Sequence, residues 1–188
     1  LCRVANEFFD ALPVRQFQRA GNGWRERCIG VSEGALPFGL SPVGPQAALD
    51  YRLEDTEDGD LVELCNPARA IVARIGAQIA TQGGAALIVD YGDWRSQGDT
   101  LQALQDHQPV DPLAAPGQAD LTTHVDFEAL AQAATPAQFA RVTPQGVFLE
   151  RLGITARAQA LATKLDGAAL NDHIAAHRRL THPDEMGN

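Results

Sequence analysis

Five consecutive apolar residues, Ala85 to Val89, follow a double glycine and run directly into Asp90, Tyr91 and Gly92. An unbroken apolar run, without the alternation of a half-wetted strand, is the pattern of a strand covered on both faces, as in a parallel sheet. The segment before it strengthens that reading. Ile71, Ile75 and Ile79, with Val72 alongside, keep helical spacing until Gly83 and Gly84 stop it. Asn66 offers an N-cap and Pro67 fits the first helical position, where its missing N–H costs nothing. A helix feeding a buried strand is half of a βαβ unit, so the sequence predicts an α/β fold.

The rest of the chain supplies what surrounds that unit. Leu1 to Ala5 reads as the end of an apolar strand with no polar lead-in, and His182 to Asn188 as a polar connection. Both ends are expected to belong to a longer protein. Strand-like pieces, Val14 to Gln18 and Cys28 to Val31, alternate with turn formers at Gly21, Asn22, Gly23, Pro37, Gly39, Pro42, Gly44 and Pro45, which predicts β-hairpin material and an irregular loop. The second half reads as mostly helical. Asp126 can cap a helix through Ala134, Thr143 and Pro144 can start one that ends at Gly153, Thr155 one to Leu165, and Asn171 one through Leu180. Phe139 to Val142 is a candidate short strand.

With 188 residues, the chain fits one domain or part of one. Its 24 acids against 15 bases give a net charge of −9, which argues against nucleic acid or an anionic membrane surface as the main partner. No apolar run approaches the length of a bilayer span, and the first residues do not read as a signal peptide. Cys2, Cys28 and Cys65 are scattered and odd in number, the usage of buried, reduced thiols rather than a disulfide framework.

In an open α/β sheet, ligands collect beyond the carboxyl ends of the strands. Two strand ends here carry polar residues directly after apolar ones: Asn6, Glu7, Phe8, Phe9 and Asp10, and then Asp90 and Tyr91. Carboxylates in a shared crevice can hold a cation or accept a proton, and aromatic rings can wall a pocket. The plainer alternative has Asp10 and Asp90 capping turns and the two phenylalanines in the core. His124, with Asp120 and Asp126 to either side, is a candidate general base or orienting group; its alternative is a turn histidine beside a helix cap. His173 and His177 share a helical face with His182 beyond, but no glutamate completes a zinc motif, and no metal is expected. The acidic run from Glu54 to Asp60 reads as a solvated loop, or as a steering surface for a basic substrate.

The string NEFFDALPV, followed by WRER, resembles the MidA-like family of S-adenosylmethionine-dependent methyltransferases. The likeness continues in family order through GGAALIVDYG, GDTLQAL, ADLTTHVDFEAL and QGVFLERLGI to HPDEMG, from Ala5 to Gly187. That family includes a mitochondrial complex I assembly factor that methylates a protein arginine. The resemblance implies a class I, Rossmann-like methyltransferase sheet, of which this chain would hold the fourth strand onward. Residues 1–188 would form the C-terminal part of a single domain, with a β-rich insertion over 14–65 and a mainly helical part over 126–182. The family's glycine-rich cofactor motif has no counterpart here, since no GxGxG string occurs. Most of the S-adenosylmethionine site is therefore expected outside these residues, and the fragment is expected to be inactive alone.

By the same resemblance, Asn6 and Glu7 would border the cofactor's methionine end and the transferring methyl. Glu7 would grip a guanidinium bidentately, with Asp10 as support, His124 as a second orienting group, and Phe8, Phe9, Asp90 and Tyr91 around the substrate. The implied partner is a protein bearing an arginine, in a bacterial cytoplasm or a mitochondrial matrix, with a role in complex I assembly and an oligomeric state that the sequence leaves open. Two alternatives remain: a non-catalytic, chaperone-like binding module that uses the hairpin insertion and the C-terminal helices, or a small-molecule methyltransferase of related fold.

Overall fold

In a computed structural model describing residues 1–188, strand β1 (Cys2–Asn6) comes first, followed by β2 (Arg15–Ala20), β3 (Gly23–Ile29) and β4 (Phe38–Leu40). A 3-10 helix (Ala47–Arg52) and β5 (Leu61–Leu64) precede helix α1 (Asn66–Gln82), which leads into β6 (Ala85–Val89). Five short strands follow, β7 (Gly92–Asp93), β8 (Gln102–Gln105), β9 (Gln108–Val110), β10 (Asp120–Thr122) and β11 (Val125–Asp126), and then helix α2 (Phe127–Ala133). Helices α3 (Gln145–Arg151), α4 (Ile154–Ala162) and α5 (Gly167–Thr181) make up the rest. The residues fall into two compact units, Leu1–Ala140 and Arg141–Asn188. The mixed α/β class is the one the sequence predicts.

The first unit is built on the parallel pair β1–β6, in register from Cys2↔Ala85 to Asn6↔Val89. Helix α1 is the crossover that parallel strands require, and the antiparallel sheet β4-β3-β2-β5 is inserted between β1 and that helix. Phe9, Ala68, Val72, Val125 and Leu130 form the core beneath the pair, and Ala5 and Ile88 pack against it. Phe17, Trp24, Leu49, Val62 and Leu64 form a second core under the inserted sheet.

Strand β6 occupies Ala85 to Val89 as expected, but it is not covered on both faces. Ala85, Ala86 and Leu87 are exposed, and on the partner strand Val4 is 70% exposed. The pair has only two strands, and its packing against the core runs through Ala5 and Ile88.

Several element boundaries differ from the sequence reading. The N-cap of α1 is Cys65, so Asn66 is already helical and its side chain caps nothing. Pro144 is itself the cap of α3, Gly153 that of α4, and α5 has its cap at Asp166, five residues before the expected Asn171. Asp126 caps α2 as expected, accepting from the Ala129 N–H at 2.8 Å. Phe139 to Val142 forms no strand, and the Phe139 ring instead lies 5.9 Å from that of Trp94. The sheet β10-β8-β9 has no counterpart in the sequence reading. Its tight turn places Asp106 and His107 at φ of 51° and 62°, without the glycine that usually marks such a turn. The cysteines are not buried: Cys2 and Cys28 are exposed and Cys65 is half-buried.

Candidate functional site

The two polar segments picked out in the sequence meet because β1 and β6 are parallel, adjacent and in register to their last residues. Where β1 ends, the Glu7 N–H donates to the Val89 carbonyl at 2.9 Å, and Glu7 then turns into the left-handed region at φ of 45°. That conformation costs a residue with a Cβ roughly 1 kcal/mol, and such strain persists only where the surroundings enforce it. Here Asp90 enforces it. Its Oδ2 accepts from the Phe8 and Phe9 amides at 3.2 and 2.8 Å, and its Oδ1 from the Tyr91 amide at 3.1 Å. Asp90 is thus a clamp on the loop after β1, the turn-capping alternative for this residue.

The phenylalanines divide between the two roles considered for them. Phe9 is 2% exposed and belongs to the core, whereas Phe8 is 47% exposed and meets it edge to face at 5.1 Å. Tyr91 is half exposed on the neighbouring loop, and its carbonyl accepts from the Val125 N–H. Asp10 is buried at 5% exposure, and its Oδ1 has no hydrogen-bond partner. Burial, then the Asp90 and Glu7 charges, push its carboxyl above the ordinary aspartate range. Its backbone carbonyl accepts from the Thr123 N–H at 2.9 Å, which brings the segment carrying His124 to the same edge.

His124 is exposed and lines a pocket with Phe9, Tyr51, Glu63 and Arg69. Its backbone is fixed from the inserted sheet: the His124 N–H donates to Thr100 Oγ1 at 2.8 Å, and that hydroxyl donates to Glu63. Gln16 also donates to Glu63, at 2.8 Å, and to Asp99, which pairs with Arg27. Burial pushes the Asp99 carboxyl up, but the Arg27 guanidinium and the Gln16 amide outweigh it and hold it below its ordinary range. Glu63 and Thr100 were not visible in the sequence as site residues. They lie 37 residues apart, on elements with no shared motif.

A third residue that the sequence did not single out is Arg52, fully buried at the end of the 3-10 helix. It donates to Asp55, to the Ser96 carbonyl and to Asp126, the cap of α2. The acidic run is therefore largely engaged within the fold. Asp55 pairs with Arg52 and Arg95, Asp58 accepts from the Gly21 amide, and Asp60 from the Glu57 amide. In the second unit His177 Nε2 lies 2.9 Å from Thr155 Oγ1, and His173 Nε2 lies 3.0 Å from the Ala158 carbonyl. No helix is long and apolar enough to cross a membrane.

Over residues 1–145 the chain matches the family described as "Putative S-adenosyl-L-methionine-dependent methyltransferase". It is 40% identical over 189 residues to the mitochondrial protein arginine methyltransferase NDUFAF7 of Danio rerio, covering 98% of this chain and 44% of that protein. Against the Homo sapiens protein of the same name it is 36% identical over 190 residues, covering 98% and 42%. The crystal structure of a Burkholderia thailandensis protein bound to S-adenosyl-homocysteine superposes with a TM-score of 0.80 at 31% identity, over 100% of this chain and 51% of that one. The chain thus spans less than half the length of these curated relatives.

Proposed function

The chain belongs to this family of S-adenosylmethionine-dependent methyltransferases, and on that premise we propose that it forms the acceptor side of an enzyme that methylates a protein arginine. The observation that carries the reading is Glu7: a carboxylate at the carboxyl end of a parallel strand, held in a strained left-handed turn by the Asp90 clamp. Strain of this kind is a mark of a residue placed for use rather than for stability.

The residues present fit a bound cofactor at its methionine end. Asn6 supplies an amide donor and acceptor where β1 stops, and Glu7 a charge that attracts a cation. When bound, S-adenosylmethionine supplies an electrophilic methyl group on its sulfonium. The protein's task is then to bring one guanidinium nitrogen into line. Arginine is a poor nucleophile because its charge is delocalised, and a carboxylate paired with it bidentately fixes the plane and localises the charge. The nitrogen lone pair forms the new C–N bond as the S–C bond breaks, and the proton leaves the nitrogen afterwards. Positioning supplies most of the rate in such a displacement. Phe8 and Tyr91, both partly exposed, offer faces against which the guanidinium can rest. His124, carried to the same edge by Thr123, is the second orienting group or the proton acceptor.

The proposal includes the architecture. Residues 1–188 are the C-terminal part of one methyltransferase domain, with 14–65 as an insertion and 126–182 as its mainly helical part, and most of the cofactor surface lies outside them. The names of the relatives support an arginine on a protein as acceptor and a mitochondrial setting for the eukaryotic members; complex I assembly as the process, and a bacterial cytoplasm as the alternative place, are part of the proposal. One observation favours a second reading, a protein-binding module without catalysis: Ile29, Val31, Phe38 and Leu40 on the inserted hairpin are exposed.

The deciding experiment is Glu7→Gln in the full-length protein. Methyl transfer to an arginine-bearing protein is expected to fall by at least about 100-fold, with S-adenosyl-homocysteine binding kept within a few-fold. Unchanged turnover removes Glu7 from the mechanism. No methyl transfer by the unsubstituted protein, together with binding of a protein partner through the exposed hairpin, selects the second reading.

A further inference from the structure

Thr123, His124 and Val125 are held at three successive backbone N–H groups from three different parts of the fold. Thr123 donates to the Asp10 carbonyl at 2.9 Å, in the loop after β1, and Val125 to the Tyr91 carbonyl at 2.8 Å, in the loop after β6. His124, between them, donates to the Thr100 hydroxyl at 2.8 Å. Thr123 and Val125 are buried and His124 is exposed, the alternation of extended chain, so the middle bond belongs to the residue that faces outward. It is also the one of the three whose acceptor is a side chain.

That acceptor is anchored on the inserted sheet. Glu63 on β5, Gln16 on β2 and Arg27 on β3 stand opposite one another in register, Glu63 paired with Gln16 and Gln16 with Arg27. Their side chains form one polar row across the sheet. The row receives Asp99 and Thr100 together. Asp99 accepts from Gln16 Nε2 at 2.8 Å and pairs with Arg27, while Glu63 accepts from the Thr100 N–H at 3.2 Å and from its hydroxyl. A threonine hydroxyl has one proton, and with that proton committed to Glu63 its lone pairs are left for the His124 N–H. Thr100 and Gln16 are both buried, so water has little access to these bonds.

We propose that Thr100 is a positioning residue for methyl transfer: through its hydroxyl, the polar row of the inserted sheet fixes where His124 stands at the edge that carries Glu7. The proposal rests on the reading of His124 given above, and it makes the insertion a working part of the site. Misplacing a group on the order of 1 Å from its productive position can cost about 100-fold in rate. Losing the bond at its own N–H frees the His124 backbone between the two neighbours that stay anchored.

The test compares Thr100→Val and Thr100→Ser in the full-length protein. Valine keeps the shape without the hydroxyl, and serine keeps the hydroxyl. Thr100→Val should lower kcat for methyl transfer from S-adenosylmethionine to an arginine-bearing protein at least about tenfold, and Thr100→Ser should restore most of it. S-adenosyl-homocysteine binding should stay within a few-fold in both. Exchange of the His124 amide hydrogen, followed by NMR, reads the bond independently of activity. It should quicken at least about tenfold in Thr100→Val and stay slow in Thr100→Ser. A Thr100→Val enzyme with the unsubstituted rate overturns the proposal. So does an equal loss in both variants, or a loss with the His124 amide still protected, since the defect then lies in packing. Should Thr100→Val fail to fold, a His124 amide that exchanges as fast as a free one in the unsubstituted protein overturns the proposal, and protection kept in Thr100→Ser supports it. His124→Ala separates the proposal from the reading beneath it. Normal turnover by His124→Ala removes His124 from the reaction, and Thr100 with it. Impaired turnover there, with Thr100→Val unaffected, leaves the reading of His124 standing and overturns the role of Thr100 alone.

Discussion

Asp126 shows how much a single carboxylate can hold together. It accepts the Ala129 N–H at the start of α2 and faces Arg52 Nη1 at 3.3 Å, although Arg52 is fully buried. The two partners do not count equally. Burial pushes the Asp126 carboxyl above its ordinary value of 3.8 despite the Ala129 amide and the Arg52 charge, so desolvation exceeds what they return. Removing the charge should therefore be mild, and removing the acceptor should not. Asp126→Asn is expected to cost less than about 1 kcal/mol, and Asp126→Ala about 2 kcal/mol, since a lost cap and a buried unpaired donor add. Urea melts of the two variants check this, and equal costs would mean that the Arg52 pair, not the cap, dominates. The sign with pH follows. A carboxyl raised in the folded state favours folding most when protonated, so its contribution is present below pH 3.8 and is lost as pH rises through the raised value. Asp126→Asn should flatten that part of the stability profile. The cap was legible in the sequence. Arg52 was not, because nothing in a linear acidic run says which of its neighbours will be enclosed.

Between elements, the contact of α1 with α2 depends on Gly76. A Cβ built there would lie 2.0 Å from the Ala134 carbonyl oxygen, closer than any real contact allows. Alanine would raise helix propensity by about 1 kcal/mol, but the overlap is with backbone that cannot rotate away, and overpacking of this kind costs about 1–3 kcal/mol. Gly76→Ala is expected to lower the melting temperature while leaving the helical circular dichroism of the folded protein unchanged. A stabilised variant would show that α2 can shift without loss. The same elements mark how far the sequence could be read. Helix α1 and strand β6 were legible because their apolar periodicity is long and is ended by Gly83 and Gly84. The sheet β10-β8-β9 was hidden because its strands have only three or four residues and its turn uses Asp106 and His107. That the polar residues after β1 and β6 meet was legible from their places at two strand ends. Which acid clamps and which is buried was not, since that depends on β6 arriving in register beside β1.

For the molecule as a whole, the parallel pair β1–β6 sets the last expectation. Two strands leave apolar faces open, with Val4 70% and Leu87 39% exposed. The Burkholderia thailandensis structure that this chain matches over its full length has nearly as much again, since the match covers 51% of it. The chain itself contains no GxGxG string to cradle a nucleotide. If the sheet is shared with residues beyond these 188, both the open faces and the missing cofactor surface have one cause. Calorimetric titration of S-adenosyl-homocysteine should then show binding by a longer form that includes the upstream strands, and none by the 188-residue chain. An apolar dye should report the reverse order, bright on the short chain and dim on the long one, because added strands cover Val4 and Leu87. Tight binding by the short chain, with no dye response, would place the cofactor on the edge that carries Asn6, Glu7 and His124.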